Sequence, residues 1–407
     1  MKDAIRILIL DNSFTFGGAI NSLCHLLRAL DKKRCVPILV SAQPREHLTK
    51  NFICTWYHFV PRLPWVNNRV YRKLLALPIF RYHFFRGILN LMRSAYWLVF
   101  IIIPESLKYY RLGRRHQVDL IHLNNIFGSQ PAGILAAKLL GIPCIAHLRD
   151  FEVIHPLTRF YAKLIDHHVA ISGAIRDNLL QIGVPADRIS LVYDAIDLAE
   201  FSTDLDTDYL FEEFSLAPNQ PRFGIFGRVV KWKGIREFIH AVSNVIKAVP
   251  HAVAFIVGDC SDGDPVFSDE MKKLAQDLDI ENQLVFTGYR QDVPAFMKVM
   301  DVIVHASNRP EPFGMVLIEG MAMSRPVVAT SSGGPLDIVV DGETGFLVRS
   351  YDYKTMAEKI IALLNDPELA GAMGGKGKAR VLQNFTKERY AADVQRVYEN
   401  VIQLKQK

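Results

Sequence analysis

A chain of 407 residues, half of them apolar, can bury two or three cores, which excludes a chain disordered by composition. Five scattered cysteines, odd in number and without a CxxC pair, argue against a disulfide frame or a zinc site and point to reduced thiols in the cytosol. The net charge of +6 is uneven: Trp56–Arg115 holds eleven Lys/Arg against one acid, Glu105, so that stretch carries +10 and the remainder −4 (6 − 10).

The first residues, MKDAIRILILDNS, carry charge too early and too short an apolar run for a secretory leader, and Ile5–Leu10 reads as a buried strand. The polar loop Asp11–Phe16, then Gly17 and Gly18 and a helical pattern to about Leu30, complete the opening unit of a doubly wound α/β domain. No GxGxxG is present, so the dinucleotide fingerprint is missing. Gly17 and Gly18 allow close backbone approach and leave N–H groups at a helix start, which suits an anion. A glycine needed only for a tight turn explains the pair as well.

Cys35–Ser41 is a second strand. Residues 56–115 then break the βα rhythm, with fourteen aromatics, among them Trp65, Tyr71, Phe84, Phe85, Tyr96 and Trp97, spaced among the arginines. Gly87–Ile103 is the most apolar part, but it is short and carries Arg93, so a spanning helix is not expected. Basic amphipathic helices in a membrane interface fit the interleaving of rings and cations, with packing of the rings onto the domain as the alternative.

Val118–Asn124 resumes the alternation, followed by a helix over Pro131–Leu140 and a strand over Pro143–Leu148. That strand delivers His147, Arg149 and Asp150 to its carboxyl end, where open α/β sheets collect ligands. A structural histidine is the other reading of His147. Asp166–Ser172 and Ile189–Tyr193 continue the pattern, and the acidic stretch Ser202–Glu213 reads as a polar linker.

A second α/β unit begins at Pro221. The strand Arg222–Gly227 ends in GRVVKWKG, which sets Arg228 and Lys233 across a loop from a helix at Ile235. Two cations beside the positive end of a helix make a phosphate clamp, whereas Lys231 reads as solvated. Further strands are expected at Ala252–Val257, Leu284–Thr287, Asp301–Ala306 and Pro326–Thr330. Asp301–Ala306 leads into a corner with Arg309 and Glu311. A helix beginning near Phe313 or Gly314, with Pro312 suited to its first turn, then carries Glu319. A fully helical path would hold the two acids ~12 Å apart, a span that suits the two ends of one bent ligand. The loop Ser331–Gly334 offers N–H groups to an oxyanion.

The motifs GRVVKWKG, GYRQDVP at 288–294, EPFGMVLIE at 311–319 and RPVVATSSGGPLDIVVDGETGFLV at 325–348 resemble those of the retaining glycosyltransferases of family four, the group 1 glycosyltransferases. The resemblance covers almost the whole chain, strongest over Gly224–Val348 and weakest over 56–115. It implies an α/β, GT-B fold of two Rossmann-like doubly wound domains facing a central cleft. Residues 1–205 would form an acceptor-binding domain with the basic aromatic insert 56–115, against which the C-terminal helix 386–407 packs back. Residues 206–220 would be a linker and 221–385 the nucleotide-sugar domain.

By the same resemblance Arg228 and Lys233 bind the donor diphosphate, Glu311 engages hydroxyls of the transferred sugar, and His147 lies near the reacting sugar. Glu319 takes the ribose, the backbone of Phe313, Gly314 and Met315 and the Gly17–Gly18 loop approach sugar and phosphates, and the base rests near Tyr289 and Arg290. The clamp replaces a metal, so Asp262 and Asp264 are a loop feature, and no cofactor is expected beyond the nucleotide-diphosphate sugar substrate. The expected acceptor is a membrane-associated or lipid-linked glycan of envelope polysaccharide or lipopolysaccharide synthesis. The expected location is cytoplasmic, peripheral on the anionic inner face of the membrane, with no nucleic-acid partner. Asp194-Ala195, Asp337, Gly320 and Ser324 depart from the family pattern; they spare the clamp and leave the donor sugar open. A nucleotide-sugar epimerase, a phosphorylase and a non-catalytic membrane binder are the alternatives.

Overall fold

The computed structural model describes residues 4–13, 17–42, 55–58, 73, 82–202, 204–260 and 265–406. Short apolar runs separated by helices fold as parallel strands, because crossover helices cover both faces of a sheet and bury its strands throughout. The first sheet is built from β1 (Ile5–Asp11), β2 (Cys35–Ser41), β3 (Thr55–His58), β4 (Leu120–Asn124), β5 (Cys144–Leu148), β6 (His167–Ala170) and β7 (Ile189–Leu191), in the order β3-β2-β1-β4-β5-β6-β7. The second uses β8 (Arg222–Phe226), β9 (Val253–Val257), β10 (Leu284–Gly288), β11 (Val302–His305), β12 (Val327–Thr330) and β13 (Gly345–Val348), in the order β10-β9-β8-β11-β12-β13. Every residue of β4, β5, β8, β9, β11 and β12 is buried.

The chain forms two compact units. One comprises Met1–Ala170, Asn178–Ser190 and Ala391–Lys407, the other Ile171–Asp177 and Leu191–Tyr390. The last helix, Lys387–Gln406, begins among residues of the second unit and ends among those of the first.

Two stretches differ from the sequence reading. Within residues 206–220, expected as a linker, Asp208–Glu213 is a helix with Leu210 fully buried, and Phe214 meets Phe255 and Phe296 edge-on. Its acids hide two apolar anchors, so it packs on the second unit. The apolar run of the insert is part of one helical stretch: His83–Trp97, a wider turn at Leu98–Ile102, then Ile103–His116. Length therefore gives no ground against a spanning helix, since Gly87–His116 is long and apolar enough to cross a membrane by length and composition. The helix closes at Gln117 in left-handed conformation, and the Arg6 guanidinium donates to the His116 carbonyl at 3.1 Å. Trp65 and Tyr71 lie outside the described residues, as does the side chain of Phe84.

Candidate active site

The clamp loop leaves β8 and turns through Lys231–Lys233 before the helix Ile235–Ala248. Arg228 is exposed. Lys233 is only 20 % exposed at its side chain, and its ammonium lies 4.3 Å from the Trp232 ring centroid. That ammonium donates to Glu311 Oε2 at 2.7 Å. Two residues assigned to different parts of a ligand thus meet each other. Ser307 Oγ donates to the same oxygen at 2.9 Å, and His305 Nε2 lies 3.2 Å from it. Thr330 Oγ1 in turn lies 3.3 Å from His305 Nδ1. Burial alone would raise the Glu311 pKa, but the Lys233 charge and the His305 contact hold the carboxyl well below its ordinary range. Glu311 is therefore a carboxylate locked in its ionised form. Its Oε1 takes part in no hydrogen bond among the described residues, and of the three N–H donors of Lys233 one is used there.

The corner around Glu311 is braced by the glycine loop. The Glu311 N–H donates to the Ser332 carbonyl, and the Gly334 N–H donates to the Glu311 carbonyl at 2.8 Å. Ser331 N–H goes to Val348 O and Ser332 N–H to Thr330 O. The N–H groups of Ser331, Ser332 and Gly334 are thus already bonded to backbone, which leaves the Gly333 N–H as the one of this loop without a backbone partner among the described residues. A Cβ at Gly334 would collide with the Phe313 carbonyl, so glycine here serves close packing. From the other side Ser172 Oγ donates to the Pro312 carbonyl at 2.6 Å.

The helix after the corner runs Met315–Ala322, later than expected. Gly314 sits at φ 111° as its N-cap, a conformation no right-handed helix contains, and Pro312 and Phe313 precede it. Phe313 is buried against Tyr193 and Phe385, so its ring anchors the corner and only its backbone could approach a ligand. Met315 and Glu319, on the helix, are partly exposed. Tyr289 is 69 % exposed, free to stack, whereas the Arg290 guanidinium bonds Glu213 at 2.7 and 3.0 Å and Asp292 at 2.7 and 2.9 Å. Those carboxylates hold its charge firmly and spend it within the unit. Asp262 and Asp264 lie outside the described residues.

In the first unit Gly17 caps the helix Gly18–Ala29 from an extended conformation, with nothing among the described residues where a Cβ would stand. Neither backbone strain nor packing demands a glycine there, which leaves room for a ligand as its use. His147 is fully buried and stacks on His122 at 5.3 Å between ring centroids. Burial first, then Arg149 and His122, push its pKa well below the ordinary range, so the ring is neutral. The structure thus shows His147 as an enclosed, neutral ring at the end of β5. At the ends of β1, β4 and β5 a buried network has formed: Asp11 accepts from Ser13 and Asn124 at 2.9 Å and from Ser41 at 3.0 Å, and Arg149 Nε donates to Asn124 at 3.2 Å. Beside it lies a cavity of about 60 Å³ between Asp11 and Asn12 on one side and Trp97, Ile101, Glu105 and Tyr109 on the other.

His305, Ser307 and Trp232 are site residues the sequence reading passed over. Of these three, His305 alone had a signal, as the ionisable side chain of the otherwise apolar strand β11.

Comparison with known proteins places this geometry. A family model described as glycosyl transferases group 1 matches residues 206–380, and one described as glycosyltransferase family 4 matches residues 90–200. The trehalose synthase of Pyrococcus horikoshii is 36 % identical over 181 residues, 43 % of this chain and 43 % of that protein, so the chain spans less than half the length of that relative. The lipopolysaccharide core biosynthesis mannosyltransferase LpsB of Rhizobium meliloti is 27 % identical over 247 residues, 60 % of this chain and 68 % of that protein. The structure of Anabaena HepE in complex with UDP and glucose superimposes with a TM-score of 0.78 at 22 % identity, covering 97 % of this chain and 99 % of that one. The second unit thus carries the match to the group 1 glycosyl transferases, part of the first carries the match to glycosyltransferase family 4, and the chain has the GT-B fold.

Proposed function

We propose that the protein is a retaining, metal-independent glycosyltransferase that moves a sugar from a nucleotide-diphosphate sugar to a hydroxyl of a membrane-associated or lipid-linked envelope glycan. The observation that carries the reading is the part-buried Lys233–Glu311 pair, in which the ammonium keeps N–H donors to offer and the carboxylate keeps one oxygen. In that reading Lys233, Arg228 and the start of the helix Ile235–Ala248 take the diphosphate, and Glu311 Oε1 takes a sugar hydroxyl. Glu319 takes the ribose, with Tyr289 beside the base.

As the anomeric C–O bond breaks, the departing diphosphate keeps the electron pair, and charge grows where the cations already stand. The acceptor oxygen bonds the same carbon from the same face. A carboxylate held as strongly ionised as Glu311 is a poor base, so the acceptor proton leaves with the departing phosphate oxygen. His147, neutral and enclosed, acts as a positioning residue for the strand ends.

The names of the relatives support the envelope glycan and the donor class, and the UDP bound to Anabaena HepE makes UDP-sugars the first donors to try. The basic aromatic insert supports a peripheral site at the inner face of the cytoplasmic membrane. Labelled-sugar transfer to membrane extract, with UDP-, GDP- and ADP-sugars and NMR of the new anomeric centre, tests the proposal. Transfer with inversion would refute retention. A wild-type protein inert with every donor, or Lys233→Ala with undiminished turnover, would sink the catalytic assignment.

A further inference from the structure

The long helix of the first unit specifies which surface could make the membrane contact, and the inference rests on that part of the proposed function. Along it Leu89, Arg93, Trp97, Ile101, Glu105 and Tyr109, every fourth residue, are partly covered. An α-helical i+4 row drifts around the axis, and the wider turn at Leu98–Ile102 brings it back toward the same side. The opposite face is open and apolar: Leu91 is 70 % exposed, Met92 64 % and Phe100 58 %, with Ile88, Tyr96, Leu98, Val99, Ile103 and Leu107 also exposed. None of the most apolar 18 residues of this helix is buried. Residues 88–107 span ~30 Å. The exposed charges that follow, Lys108, Arg111, Arg114 and Arg115, are all cations, and the one acid of the helix, Glu105, lies on the covered side.

We infer that the open face of residues 88–107 lies in the plane of an anionic bilayer, its apolar side chains in the headgroup–acyl boundary and the Lys108–Arg115 cations among the headgroups. A spanning helix would meet lipid on every side. Here Trp97, Ile101, Glu105 and Tyr109 turn instead toward the cavity beside Asp11 and Asn12, and Gly113 packs so closely on Leu140 that a Cβ would clash. The bilayer thus takes one face, and the protein keeps the other.

Flotation of the full chain with vesicles of phosphatidylglycerol and phosphatidylethanolamine tests this, with pure phosphatidylcholine as the neutral arm. The wild type is expected to float with the anionic vesicles and to be released by alkaline carbonate. Leu91→Glu with Phe100→Glu should lower partitioning at least about tenfold, with an unchanged circular-dichroism melt. Lys108→Glu with Arg111→Glu should lower it about fivefold for each cation lost. Unaltered flotation of the apolar-face variant would overturn this face while leaving membrane contact intact. Resistance to carbonate would make the helix a span and overturn the in-plane placement. A lipid-independent dimer broken by Leu91→Glu would assign the face to a second copy. A wild type that floats with no vesicle would end both this inference and the membrane contact, leaving the labelled-sugar assay to judge catalysis separately.

Discussion

Within the strands of the first unit, burial keeps His122, His147 and His168 neutral; in the loops after β8 and β11 of the second, burial encloses the charges of Lys233 and Glu311. His122 and His168 are each pushed down to about 3, chiefly by loss of water. Glu311 would be pushed up by the same loss, but a lysine at 2.7 Å reverses it. Water is excluded in both places, so the presence of a counter-charge decides whether a buried group keeps its own. A neutral histidine stack offers a diphosphate nothing, whereas a lysine with N–H donors still to give does.

The sharpest way to break the comparison is to remove the counter-charge. Lys233→Ala leaves Glu311 buried beside only His305 and Ser307, and the expected cost is about 3–5 kcal/mol. Lys233→Ala with Glu311→Gln should recover most of that loss, because the uncompensated charge goes with the carboxylate. Urea unfolding of the three proteins measures both numbers. A single-variant cost below ~1 kcal/mol would class the pair with surface ion pairs and remove the contrast between the units.

Acid should separate the two units. The folded pKa of a buried neutral histidine lies below its unfolded value of 6.5. The stability it permits is therefore complete above 6.5 and drains as pH falls toward 3, by about 1.4 kcal/mol per pH unit for each ring. Glu311 is a lowered carboxylate, so its contribution is complete above an unfolded value of ~4.3 and drains only below it. Between pH 6.5 and 4.5 the first unit should thus soften while the Glu311 cluster holds. Hydrogen exchange, corrected for intrinsic rates, should show β4 and β5 losing protection before β8 and β11. The reverse order would refute the electrostatic assignment of one unit or the other.

Much of this was legible in the sequence. Short apolar runs bounded by turn signals, such as VAFIV at Val253–Val257, read as strands of a doubly covered sheet. Arg228 and Lys233 were visible because a strand, a loop with spaced cations and a helix start are local features. The bond between Lys233 and Glu311 was not, since it joins positions 78 residues apart. Periodicity likewise hid the helix through residues 98–102, because a wider turn breaks the 3.6-residue repeat on which the reading depends. The start of the helix at Met315 was misplaced because Pro312 looked like a first-turn residue, while the left-handed Gly314 set the boundary.

The smallest expected effect tests the neutral side of the comparison alone. His122 Nδ1 lies 2.7 Å from the Tyr398 hydroxyl, and both side chains are fully buried. Nε2 of the same ring has no hydrogen-bond partner among the described residues, so the ring's one hydrogen bond is the tyrosine's. Tyr398→Phe keeps the edge-on ring contact at 5.8 Å and removes only the hydroxyl. A neutral group left without its hydrogen bond costs about 1–3 kcal/mol, less than the stranded charge of Lys233→Ala. The loss should be confined to the first unit, visible as faster exchange in β4 and in residues 391–407, with β8 and β11 unmoved. Since the ring is neutral in both proteins, the cost should be the same at pH 7 and pH 8. A cost that grows as pH falls from 8 to 7 would mean that His122 carries a proton in the folded protein, a second positive charge buried beside Arg149.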